Sequence, residues 1–122
     1  MRTVGKIFGR EIQMPIEPVV PFNKESYLNQ RGGKVYYDSR KQLLLPLHEG
    51  SQTFEVLSVG VDQKFIPTVT ILKDGKSECF RLPDELSEWA SSVVGMAAMG
   101  MNYFPAKVMF YKTNGKYYAD IL

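Results

Sequence analysis

The stretch AKVMFYKTNGKYYADIL (residues 106–122) decides the architecture of this chain. Asn114-Gly115 supplies the two positive-φ positions of a type I′ turn, so the flanking runs Ala106–Lys112 and Lys116–Leu122 read as a β-hairpin. Counting back from that turn pairs Lys112 with Tyr117, Tyr111 with Tyr118, Phe110 with Ala119, Met109 with Asp120 and Val108 with Ile121. Strand side chains alternate between faces, which puts Val108, Phe110, Ala119 and Ile121 on one apolar face that belongs in a core. The other face carries Lys107, Met109, Tyr111, Thr113, Lys116 and Tyr118. Two tyrosines opposite each other among lysines form a platform on which bases can stack while ammonium groups meet phosphates. Lys112 points toward the core face in ideal register and joins the platform by reaching around the hairpin tip.

Working toward the N-terminus, Asp74-Gly75 repeats the turn signal between strands expected at Phe65–Leu72 and Lys76–Leu82. Thr53–Val61 reads as a further strand. A helix is expected over about 83–97, because Pro83 suits a first helical position and Asp84, Glu85 and Glu88 complement the helix dipole. Leu86, Trp89, Ala90, Val93, Val94 and Ala97 then form its apolar stripe. Lys34–Tyr37 and Gln42–Leu47 flank the turn-like Asp38-Ser39-Arg40-Lys41 and are expected to form a hairpin. Residues 1–33 read as an extended arm, with Pro15, Pro18 and Pro21 spaced by three and glycines on both sides. The organisation expected is therefore an arm (1–33) and one β-rich domain (34–122).

The fold class expected is β-rich α+β, a small antiparallel barrel or strongly curved sheet with one helix between its third and fourth strands. The order strand-strand-strand-helix-strand-strand over residues 52–122 resembles the OB-fold barrel. Other curved antiparallel sheets with a helix packed across them share that order. The OB resemblance implies a non-catalytic domain that binds single-stranded nucleic acid or oligosaccharide.

Composition narrows the chemistry. The chain has 122 residues, 15 Lys+Arg against 13 Asp+Glu, and a net charge of +2. That balance fits neither a strongly basic DNA-coating protein nor an acidic tail. Cys79 and His48 are the sole cysteine and histidine, so neither a disulfide framework nor a multi-Cys or two-His metal site fits within one chain. Asp84, Glu85 and Glu88 are explained by the helix start. No phosphate-loop, nucleophile-elbow or metal-hydrolase motif occurs. No catalytic residues, metal or cofactor are therefore expected. Gly5, Gly9, Arg10 and Glu11 interrupt any apolar targeting core, and Val93–Met101 falls short of the ~18 residues of a membrane span. A cytoplasmic protein without membrane contact is expected.

A second basic–aromatic cluster lies at the expected first hairpin. Arg31, Lys34, Arg40 and Lys41 against Asp38 sit with Tyr36 and Tyr37. The leading expectation is single-strand binding, with Tyr36, Tyr37, Tyr111 and Tyr118 stacking bases. Lys34, Arg40, Lys41, Lys107, Lys112 and Lys116 would neutralise phosphates. The rival is a protein-interaction, inhibitor or assembly module. It would use Pro15, Pro18 and Pro21 of the arm with Met96, Met99 and Met101 of the Met/Gly-rich segment 93–104, and the arm could support a homo-oligomer.

Overall fold

A computed structural model describes residues 20–21 and 24–122 of the chain, the first two by backbone alone. The arm's Pro15 and Pro18 lie outside the described residues. The strands are β1 (Val20–Pro21), β2 (Ser26–Leu28), β3 (Lys34–Tyr36), β4 (Gly50–Val61), β5 (Pro67–Lys73), β6 (Lys76–Arg81), β7 (Ala106–Thr113) and β8 (Lys116–Ile121). They form two antiparallel sheets, β1-β2-β3 and β6-β5-β4-β7-β8. In the larger sheet, β4, β5 and β6 follow one another as hairpin neighbours. β7 returns after the helix to lie beside β4, which makes a Greek key.

β4 belongs to both halves of this sheet. Residues 50–56 pair with β7 and residues 55–61 with β5. Between Val56 and Ser58 the register with β5 shifts, a β-bulge that resets the alternation of faces. Val56 and Val59 therefore both point inward and are buried, although three residues apart. The core gathers Val56, Val69, Ile71, Leu82, Val108 and Phe110, with Leu45 from the connecting segment.

The helix α1 (Ser87–Ala98) follows a 3-10 turn at Asp84–Leu86. Pro83 precedes that turn instead of opening the α-helix. The stripe Leu86, Ala90, Val93 and Val94 is buried, and Trp89 meets Phe110 edge-to-face at 5.8 Å. Gly100, at φ +95, ends the helix. Its N–H donates to Ala97 O, and Met101 N–H to Met96 O, the paired bonds of a Schellman cap.

Three expectations need correction. The sheet is not a closed barrel: β6 and β8 are its two ends, and no strand pairing joins them. The hairpin expected over 34–47 does not form. β3 pairs instead with β2, Ser39–Lys41 is a 3-10 turn, and Leu44 makes an isolated parallel bridge to Arg81. The local reason is Gln42, whose side chain takes the place of a strand partner. Its amide accepts from Tyr36 N–H and donates to Lys34 O and to Cys79 O, at 3.0, 2.9 and 2.8 Å. Finally, β5 begins at Pro67, not Phe65, because Asp62 closes a five-residue loop. The Asp62 Oδ1 accepts from Lys64 N–H and Ile66 N–H.

The buried Gln42 amide is thus the joint between the two sheets. Gln42→Ala orphans backbone groups that it now satisfies and is expected to cost about 1–3 kcal/mol. Urea denaturation monitored by Trp89 fluorescence measures this. Gln42→Glu should not rescue it, since a carboxylate cannot donate to the two carbonyls.

Candidate nucleic-acid interface

The terminal hairpin has the register read from its turn, from Val108 opposite Ile121 through Thr113 opposite Lys116. Asn114 and Gly115 both take positive φ, as do Asp74 and Gly75. Phe110 and Val108 are buried on the inner face. On the outer face the Tyr111 and Tyr118 rings lie nearly parallel, 17° apart, with centroids at 5.0 Å. This is an offset stack that buries one ring side of each and leaves Tyr118 40% exposed. β4 extends the same face, since Ser51 pairs with Tyr111, Thr53 with Met109 and Glu55 with Lys107. The surface is a half-exposed, three-stranded floor with two stacked rings toward the hairpin tip.

Its charge is mixed. Lys107 and Lys116 are exposed, but Glu55 stands opposite Lys107, and Asp120 lies on the same face one pair along from the tyrosines. Lys112 is not part of the platform: its ammonium sits 5.0 Å over the Tyr117 ring, on the other face. Stacking, not a dense field of cations, is what this surface offers.

The second cluster lies elsewhere. β3 packs near β6, at the far end of the sheet from β8. Lys34 Nζ lies 4.9 Å over the Tyr36 ring, and Tyr37, 58% exposed, tilts against Tyr27 at 5.0 Å. Arg40 pairs with Asp38 at 2.9 Å and Lys41 with Glu25 at 2.8 Å. These hydrogen-bonded cations hold both carboxyls below their ordinary values. Exposed pairs of this kind are worth little. They nonetheless reduce the local charge available for phosphate, so the two clusters are separate and unequal.

Sequence reasoning missed Phe65. It is 66% exposed at the tip of the β4–β5 loop and takes φ +65, a left-handed conformation that costs a bulky residue ~1–2 kcal/mol. The signal available was Asp62 three residues earlier, whose carboxylate organises the loop. Between the small sheet and β4–β6 lies a cleft of about 130 Å³ lined by Tyr27, Asn29, Asp62, Thr68, Thr70 and Cys79 among others. Asn29 Nδ2 donates across it to Thr70 Oγ1 at 2.9 Å. Gly33 packs so closely that a Cβ would lie 3.2 Å from Thr70 Cγ2.

At the helix end Met99 and Met101 are exposed, while Met96 is half-buried and accepts a bond from the Tyr103 hydroxyl at 3.6 Å. Cys79 is buried and in no disulfide, and the exposed His48 Nδ1 contacts Glu49 O. Among the described residues no cluster of three or more His, Cys, Asp or Glu is arranged to hold a metal ion. Nor, among them, is any helix long and apolar enough to cross a membrane.

Burial first, then the neighbouring Asp120 carboxylate, raises the Tyr111 phenol above its ordinary 10.0. In an NMR pH titration Tyr111 should therefore ionise at higher pH than 10.0. Asp120→Asn should bring it part of the way back, with the burial contribution remaining.

No known family model matches the chain, and no similar chain emerges among curated proteins or solved structures.

Proposed function

We propose that this is a non-catalytic protein that binds single-stranded nucleic acid on the outer face of β4, β7 and β8. The single observation behind the reading is the stacked Tyr111–Tyr118 pair on an open sheet face. A base stacking on the exposed ring side continues an existing stack, and such contacts are worth ~1–3 kcal/mol per base. Lys107 and Lys116 flank the rings and meet phosphates on either side. Tyr36, Tyr37, Lys34, Arg40 and Lys41 form a secondary contact, weakened by the Arg40 and Lys41 ion pairs.

The topology lends support. A five-stranded Greek key with a helix before its fourth strand is the plan of the partly open OB barrel. One departure matters. OB proteins commonly engage ligands across their second and third strands, and here the outer side of β5 and β6 lies under the small sheet. Thr70, Gly33 and Cys79 meet there and are buried. Among the described residues, the face of this sheet left uncovered is the one with the tyrosines.

Fluorescence anisotropy with a labelled ~20-nucleotide single strand, at several salt concentrations and with a duplex control, tests the proposal. Two or three neutralised phosphates give a log–log salt slope of only about −1.4 to −2.1. Tyr111→Ala with Tyr118→Ala should weaken binding about 5- to 160-fold, the equivalent of one lost stacking contact. Unchanged affinity in a folded double variant would sink the platform.

A second reading rests on the helix end. Met99 is 75%, Met101 52% and Tyr103 43% exposed within a few residues, a flexible apolar surface suited to a protein partner. In that reading the proline-spaced arm contributes as well. A protein complex or oligomer lost on removing residues 1–22, with no nucleic-acid binding, would favour it.

A further inference from the structure

β8 ends the larger sheet, and among the described residues nothing pairs with its outer edge. Leu122 N–H donates to Lys107 O at 2.9 Å, which sets the phase of the β7–β8 ladder. Residues 116, 118, 120 and 122 turn their amide groups toward β7, so Tyr117, Ala119 and Ile121 turn theirs outward. Among the described residues no backbone bond reaches those outward groups. The 3-10 turn at 84–86 packs near β8 without bonding to it. An open edge of this kind is a template for another strand.

The geometry points to a second copy of this chain as that strand, paired antiparallel about a two-fold axis at Tyr118. Charge complementarity selects this partner and this register. With Tyr118 opposite its own counterpart, Lys116 of each copy stands opposite Asp120 of the other, and Tyr117 and Ala119 exchange backbone bonds. Shifting the axis to Ala119 puts Lys116 opposite Leu122. Shifting it to Tyr117 puts Asp120 opposite Asn114. Only the Tyr118-centred register makes this ion pair, and isologous pairing makes it twice. Lys116 has no ion-pair partner among the described residues to compete.

The dimer stands without the nucleic-acid reading, but its consequence for binding rests on that reading. Both Tyr118 side chains lie on the outer face at the axis. Tyr111, Tyr118 and their two counterparts then form one row of four rings spanning about 14 Å across adjacent strands. A single strand would meet one continuous stacking surface made by two copies.

Sedimentation equilibrium of the full chain without nucleic acid, together with cysteine cross-linking, tests the interface. A non-hydrogen-bonded antiparallel pair brings Cα atoms to ~4.5 Å, within disulfide reach. Tyr118→Cys should therefore cross-link to a covalent dimer on mild oxidation. Lys116→Cys should not, since its counterpart lies four residues away along the strand, about 13 Å. Lys116→Asp and Asp120→Lys should each weaken association tenfold or more, and combining them should restore it. Circular dichroism confirms that the variants remain folded. A chain that stays monomeric at all concentrations and yields no Tyr118→Cys dimer would overturn the inference. So would a dimer indifferent to the charge swaps, which would place association on another surface such as the arm or the Met99–Tyr103 patch. An intact dimer of the unaltered chain that binds no single strand would count against the platform alone.

Discussion

The structure depends on one strand serving two half-sheets. β4 is twelve residues long, and its pairing passes from β7 to β5 around Glu55 and Val56. The bulge at that point makes the handover compatible with a core. Without it, Val59 would face outward whenever Val56 faced inward, and the β5 half would present the wrong side. With it, Val56 and Val59 face the same interior as Val69, Ile71, Val108 and Phe110. The helix seals that interior with Ala90, Val93 and Val94, and Trp89 braces Phe110.

This constraint also determines which outer surfaces remain open. The β5–β6 half is overlaid by the small sheet, fastened through the Gln42 amide and the Asn29–Thr70 bond. Among the described residues nothing covers the first half of β4, β7 and β8 in this way, and that floor holds the stacked tyrosines. The same hairpin register buries Phe110 and exposes Tyr118 40%. Core formation and presentation of the rings are two sides of one ladder. A single-residue slip in that ladder would destroy both at once.

Much of this was legible in the chain, for reasons that differ by element. Asn114-Gly115 and Asp74-Gly75 encode their hairpins locally, because few dipeptides tolerate two successive positive φ values. The stripe from Leu86 to Val94 likewise declares its helix by spacing. The β4 bulge was not legible, since Thr53–Val61 carries no residue that marks where alternation breaks. Nor was the failure of the 34–47 hairpin. Gln42 acts through partners 37 and 8 residues distant, so no local pattern announces it. Arg40 and Lys41 counted as free charge along the sequence, whereas in space each meets a carboxylate. Phe65 looked like a strand residue because the Asp62 carboxylate that diverts the chain operates through backbone amides, which composition does not reveal.

The account comes down to where a single strand touches this molecule. Backbone-amide NMR spectra recorded while an unlabelled oligonucleotide is titrated into the labelled protein locate that contact directly. The largest shifts are expected at Tyr111, Tyr118, Met109, Lys107 and the facing Ser51 and Thr53, with smaller ones along β3 and little change along β2. Shifts concentrated around Tyr27, Asn29 and Thr70, or none anywhere at low salt, would contradict it.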